Sequence, residues 1–306
     1  MLRGEVSCVG LLVNVDKPRA LSLARTLLQW LQGHGVAALV TPEAGLALGG
    51  NPHTAVLPDM ARQAGFLIVL GGDGTLLGAA RRTAAYSPPL LGVNLGHLGF
   101  LTELEEGDVL GALPALLAGR SEVDERMMLA CSVCHAEREP ERYLALNDVV
   151  VAKGPFARLV RLHLAASDGA VVATYRGDGL IASTPTGSTA YSLSAGGPVV
   201  HPQVDGILIT PICPHTFYSR PVLLHARQRL RLDLALTATG RHGEVDVALT
   251  VDAQEGRRLR PGEWVELAAA RERVRLLRRP GWDFYTVLRR KLAEQEPGDE
   301  QRNDGQ

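Results

Sequence analysis

Residues 66–77 read F-L-I-V-L-G-G-D-G-T-L-L. Phe66 to Leu70 form a short apolar run without alternation, the pattern of a strand buried on both faces. Glycines at 71, 72 and 74 interrupt it, and apolar residues return at helical spacing over Leu76–Ala85. A buried strand, a glycine turn and a helix make half of a βαβ unit, so this stretch argues for a parallel sheet covered by helices. Asp73 stands at the turn. A tight turn favours Gly and Asp for its own sake. Glycines that bare backbone N–H groups beside a helix start also suit an anion. Taken alone, the stretch supports corner and site equally, and it fits neither G-x-x-x-x-G-K-[ST] nor G-x-G-x-x-G.

Outward from this unit the alternation repeats. Val6–Val15 reads as a first strand, and Leu21, Ala24, Leu27, Leu28 and Leu31 recur at helical spacing before Gly33. Val36–Thr41 reads as a second strand followed by a glycine-rich loop through Pro52. A short helix is expected near Leu57–Ala64, a strand at Leu90–Val93 after Pro88-Pro89, and a helix over Glu105–Ala118 interrupted by Pro114.

The texture changes near Arg120–Glu125. Met127–Ala136, Tyr143–Lys153, Leu159–Ala166, Val171–Tyr175, Gln228–Ala235, Glu244–Asp252 and Trp264–Leu277 carry strand patterning, several separated by turn signals such as Ser167-Asp168-Gly169. The expected organisation is an α/β N-terminal domain with a parallel sheet over 1–122, then a mainly antiparallel β-rich domain over 123–280. A closing helix over 281–296 packs back on the first domain, and the polar tail 297–306 reads as disordered. Arg271, Arg273 and Arg275 share one strand face and read as solvated.

Composition limits the function classes. With 306 residues, 46% apolar and 21% charged, the chain has the balance of a folded protein with room for two cores. A formal net charge of −1 gives no reason to expect a nucleic-acid partner, and no apolar run is long enough for a membrane span. The N-terminal run lacks the apolar core and cleavage site of a secretory leader. Four scattered cysteines indicate no disulfide framework and fit a reducing cytoplasm. Cys131-Ser132-Val133-Cys134 has no second pair to complete a zinc site and reads as two strand thiols on opposite faces.

Two further segments carry chemistry. Residues 174–200 hold a second Gly-Asp-Gly at 177–179, a run of hydroxyl side chains, and Gly196-Gly197-Pro198. So many small hydroxylated residues pack poorly into a core and offer hydrogen bonds to a polar ligand. Asn147 and Asp148 interrupt the apolar strand A-L-N-D-V-V-V at 145–151. They lie at a bulge, cap backbone, or pair with ligand hydroxyls, since an unpaired polar group inside a strand is costly.

The stretch GGDGT at 71–75, GVNLGHLGFLTE at 92–103, ALND at 145–148 and GDGLIASTPTGSTAYSLSAGGP at 177–198 resemble the NAD kinase family in order and spacing, over about residues 6–290. GGDGT is shared with diacylglycerol, sphingosine and phosphofructokinase-type kinases; the two longer blocks are far more specific. The resemblance implies an α/β domain and a β-rich domain with the site at their junction. It also implies phosphoryl transfer from ATP to the 2′-hydroxyl of the adenosine ribose of NAD, with Mg²⁺ or another divalent cation carried by the nucleotide rather than by a protein cage. Asp73 is then the general base, with Gly74 against the dinucleotide and incoming phosphates. Asn147 and Asp148 contact ribose and adenine, Arg158 and Arg176 lie near the diphosphate and ribose, and Asp178 anchors the dinucleotide. Thr189, Ala190, Tyr191, Ser192, Leu193 and Ser194 line the adenine pocket, and Gln254 is a late contact. His97 and His201 fall within family motifs but read as structural. Homodimers or homotetramers are expected, in the cytoplasm, with polyphosphate as a conceivable donor beside ATP. Some relatives carry a basic residue where Gly78 stands. Against a lipid or sphingoid kinase on the related scaffold stands the hydroxyl-rich block; against a non-catalytic dinucleotide sensor stands Asp73.

Overall fold

The computed structural model describes residues 5–50, 52–96, 99–154, 159–215, 219–234 and 246–293. The expected tail, together with Arg158 and His97, lies outside the described residues. Strands Cys8–Val13, Ala37–Val40, Phe66–Leu70 and Pro89–Asn94 pair in parallel, with Cys8–Val13 between Ala37–Val40 and Phe66–Leu70. All five residues of Phe66–Leu70 are buried, as a run covered by helices on both faces requires. Helix Pro18–Gly33 opens on a proline and buries Ala20, Leu23, Ala24, Leu27 and Leu31 against this sheet.

Local chemistry corrects two expectations here. Helix Pro42–Leu48 occupies the segment expected as loop: Thr41 accepts from the Ala44 N–H at 3.4 Å and Pro42 sits at the first helical position. The helix after the glycine turn begins at Asp73, three residues before Leu76, because the Gly72 carbonyl accepts from Thr75 and Leu76 at 3.0 and 3.1 Å.

In the second half, the long strands Glu122–His135 and Trp264–Arg278 run antiparallel. The end of Trp264–Arg278 also pairs in parallel with Pro89–Asn94, so one eleven-stranded sheet runs through both halves. A six-stranded antiparallel sheet faces part of it, in the order Val222–His225, Gly206–Ile212, Gly179–Ser183, Asp148–Lys153, Val247–Val251, Glu255–Leu259. Their shared core holds Leu129, Cys131 and Leu164 from one sheet and Val149, Leu180 and Leu249 from the other. Cys131 and Cys134 are both buried on Glu122–His135, and burial pushes the Cys131 thiol up to about 12.

The expected strand Tyr143–Lys153 is two strands, Arg138–Ala145 in the large sheet and Asp148–Lys153 in the small one. The chain changes sheets at Leu146-Asn147. It does so again at Asp178, between Val171–Gly177 and Gly179–Ser183. A Cβ on Gly177 would lie 2.7 Å from the Ile212 carbonyl oxygen, and one on Gly179 2.5 Å from that of Val151. Only glycines allow that crossing.

The closing helix is Phe284–Ala293. Its first turn lies on the β-rich half, where Phe284 and Tyr285 pack on His201 with ring centroids 5.1 and 5.6 Å away. No helix among the described residues is long and apolar enough to cross a membrane.

Candidate functional site

Phe66–Leu70 delivers the chain to a turn whose geometry fixes Asp73. A Cβ on Gly71 would overlap Thr75, and one on Gly99 would overlap the Asp73 carboxylate. Asp73 therefore lies flat against the segment 99–102. Its Oδ2 accepts from the Phe100 N–H at 2.8 Å, its Oδ1 from Thr102 at 3.2 Å, and both oxygens from Leu101 at 3.3 Å. Thr102 steadies the segment by accepting from the Gly99 N–H at 3.1 Å. A carboxylate offers about four lone-pair sites, so three backbone donors leave room for one further hydroxyl. The negative charge also complements the first turn of an eleven-residue helix.

Eight residues along that helix, Arg81 reaches into the β-rich half. Its Nη1 donates to Asp252 Oδ2 at 3.2 Å and the Val251 carbonyl at 3.4 Å; its Nη2 donates to Gln254 at 3.0 Å and Glu255 at 3.2 Å. Gln254 closes the loop by donating to the Gly74 carbonyl at 2.6 Å. Asp252, fully buried, accepts from the N–H groups of Leu146, Asn147 and Asp148 at 3.0, 2.8 and 3.0 Å. Those donors leave the strand ladder, which is why the chain changes sheets there. Asp252 and Ala253 have φ of 49° and 53°, a left-handed turn that carries strain at alanine. The turn that Arg81 holds thus sets the Asn147-Asp148 pair relative to Asp73.

Asp148 is 4% exposed. Burial first, and the neighbouring Asp252 second, push its carboxyl up to about 7. Replacing Arg81 with lysine leaves a single ammonium in place of a guanidinium with four contacts. Arg81→Lys is expected to lower the unfolding free energy by about 1–3 kcal/mol in urea titrations. An unchanged value would show that the clamp contributes nothing.

Several hydroxyls of the block bond within the protein. Thr184 donates to the Leu146 carbonyl at 2.6 Å, Ser188 to that of Pro185 at 2.7 Å, and Ser192 shares a 2.7 Å bond with Thr210. Ser192, expected to line a pocket, is therefore buried with its hydroxyl engaged; Thr189, Ala190 and Leu193 are half-buried, and Tyr191 and Ser194 exposed. The turn Thr186–Thr189 packs on Asn147, where any Cβ at Gly187 would overlap its backbone.

Asp73, Gly74 and Gln254 are thus gathered with Asn147 and Asp148 and the turn before Thr189. Arg176 and Asp178 lie at the far end of strand Gly179–Ser183, whose Ser183 pairs with Asp148. That is about 13 Å along the strand. There Asp178 pairs with Lys153 at 3.1 Å, and exposed Arg176 stands opposite Arg161. Arg81 and Asp252 were not anticipated as site residues. Arg81 is one of two adjacent arginines in the last turn of its helix, and Asp252 is an acid between a strand and a turn.

A GGDGT turn that opens a helix over the junction of an α/β half and a β-rich half is the arrangement of a small-molecule kinase. The chain matches the family models described as ATP-NAD kinase N-terminal domain over residues 9–121 and ATP-NAD kinase C-terminal domain over 146–279. It is 46% identical over 290 residues to the NAD kinase of Symbiobacterium thermophilum, covering 92% of this chain and 98% of that protein. It is 45% identical over 289 residues to that of Moorella thermoacetica, covering 94% and 89%. Its fold resembles yeast NADH kinase complexed with NADH, with a TM-score of 0.84 at 24% identity, covering 98% of this chain and 91% of that one. It also resembles an NAD kinase from Archaeoglobus fulgidus in complex with ATP, with a TM-score of 0.72 at 21% identity, covering 94% and 98%. The chain belongs to the NAD kinase family.

Proposed function

We propose that the protein transfers the γ-phosphoryl group of ATP to the 2′-hydroxyl of the adenosine ribose of NAD, giving NADP. The observation that carries this reading is the link between two held elements: Asp73 rests on three backbone amides, and Gln254, on the Asp252 turn that holds Asn147 and Asp148, donates to the carbonyl of the adjacent Gly74. Asp73 accepts the hydroxyl proton on its remaining lone pair as the phosphoryl group moves, so its work is orientation plus proton acceptance. Asn147 and Asp148 face ribose and adenine. A carboxyl that titrates near neutrality both accepts from and donates to such groups. Gly74 and the helix start receive phosphate oxygens. Thr189, Ala190, Tyr191, Leu193 and Ser194 border the adenine, and Arg176, Arg158 and Asp178 hold the far end of the dinucleotide.

Among the described residues, no three His, Cys, Asp or Glu side chains gather closely enough to hold a metal. A divalent ion offsets triphosphate charge and arrives with the donor. Assembly as a homodimer or homotetramer and residence in the cytoplasm belong to the same reading.

The donor is the open variable at Gly78. A Cβ there would lie 3.2 Å from Gln254 Oε1, so any larger side chain would press on the Gln254 that bonds to Gly74. Incubation with NAD, Mg²⁺ and either ATP or polyphosphate is expected to yield NADP with ATP. Absence of NADP together with phosphorylation of a lipid would overturn the reading. NAD binding without turnover would identify a sensor.

A further inference from the structure

We propose that Arg278 is a positioning residue for Asp73, acting through the peptide between Leu101 and Thr102. The inference rests on the assignment of Asp73 to proton transfer. Arg278 ends strand Trp264–Arg278, some 200 residues along the chain from Asp73, and is 1% exposed. Its Nη1 donates to the Leu101 carbonyl at 3.0 Å and to Glu103 Oε2 at 3.2 Å. The N–H of the same peptide unit, that of Thr102, donates to Asp73 Oδ1 at 3.2 Å.

One peptide plane thus lies between a guanidinium at its carbonyl end and a carboxylate at its N–H end. Both charges align with the peptide dipole, so each polarises the bond at the other end and stiffens it. A planar peptide cannot turn its N–H without turning its C=O. Fixing the carbonyl therefore fixes the donor that Asp73 rests on.

The guanidinium is itself held through Nε and Nη1, while its buried Nη2 has no hydrogen-bond partner. Its Nε donates to Asp124 at 3.3 Å, and Arg126 donates to the same oxygen through Nε at 2.8 Å. The Trp282 ring lies 4.3 Å from the Arg278 guanidinium and 5.7 Å from that of Arg126. Glu103 accepts from the Arg279 N–H at 3.0 Å. Arg126 also reaches Thr186, in the turn that packs on Asn147, at 3.3 Å. Two buried arginines and two buried carboxylates are an expensive way to fill a junction, since apolar residues of similar volume stabilise at least as well. Aligning the amides that hold Asp73 gives the network a purpose that packing alone does not.

The test is a double-mutant cycle. Arg278→Met is expected to lower kcat for NADP formation by about 10–100-fold, because small misplacements of a reacting group have effects of this size. The dissociation constant for NAD should stay within about 3-fold. Arg278→Lys, which can still reach the Leu101 carbonyl, should recover part of kcat. In an Asp73→Asn background, with trace NADP read by enzymatic cycling, either Arg278 substitution should change the rate by less than about 2-fold. If Arg278→Met does not fold, Arg278→Lys in the two backgrounds carries the same comparison. An equal fractional loss in both backgrounds, or an unchanged kcat in the Arg278 variants, overturns the assignment. Full turnover by Asp73→Asn alone overturns the role of Asp73 instead.

Discussion

Asp73→Asn is expected to lower kcat for NADP formation by about 10²–10⁴-fold, with the dissociation constant for NAD changed only a few-fold. The amide has the size of the carboxylate but cannot accept a proton at the pH of the reaction. It has a second effect that the geometry makes explicit. Phe100, Leu101 and Thr102 all point N–H groups at the Asp73 side chain. Asparagine can turn its oxygen toward one or two of them, and its NH₂ then faces a donor. Loss of an amide bond and of a first-turn charge together should lower stability by about 1–3 kcal/mol. Activity is therefore compared well below the melting temperature, alongside calorimetric titration with NAD. A large fall in kcat with NAD binding retained supports the base. A fall that tracks weakened binding would assign Asp73 to holding the 99–102 segment. Wild-type turnover would remove it from the chemistry altogether.

Much of this was legible in the sequence for identifiable reasons. Phe66–Leu70 declared itself because five consecutive apolar residues leave no face for solvent, and all five are buried. Asn147-Asp148 and Gly177-Asp178-Gly179 stood out as polar interruptions of apolar runs. Both prove to be points where the chain crosses between sheets. The crossing itself was hidden, because the Asp252 carboxylate that receives the freed N–H groups lies about a hundred residues further on. The hydroxyl block is bonded in part within the protein, which composition alone does not reveal. Thr184 and Ser188 look like ligand donors in sequence but donate to backbone carbonyls, and Ser192 bonds to the Thr210 hydroxyl. Arg278 escaped notice for the opposite reason. It follows Arg271, Arg273 and Arg275, whose spacing suggests a solvated face, although period two puts Arg278 on the other face with buried Val274 and Leu276. Helix Pro42–Leu48 carries its start signal in Thr41-Pro42, a cap followed by proline, ahead of the glycines at 49 and 50.

Asp148→Asn is expected to raise stability at pH 8 and to remove most of its dependence on pH between 4 and 7. The carboxyl titrates at about 7 in the folded protein, raised by burial and by Asp252, and near 3.9 in the unfolded chain. Between these values the folded state keeps a proton that the unfolded state has released. Stability from this group is therefore fully present below about pH 4 and is lost as pH rises through about 7. The difference of about three units corresponds to about 4 kcal/mol. Asparagine carries no charge at any of these values, so its contribution is flat. The amide must still find partners where the acid stood, which reduces the net gain at pH 8 to about 2–4 kcal/mol. Urea unfolding of both proteins at pH 5, 6, 7 and 8 gives the answer directly. Parallel curves would show that Asp148 is solvated and that Asp252 does not act on it. The same substitution should weaken NAD binding, because the group that destabilises the empty fold at neutral pH is one that ribose or adenine would satisfy. Higher stability with poorer binding is what a residue retained for its ligand should show. Higher stability with unchanged binding would leave Asp148 without a role in the site.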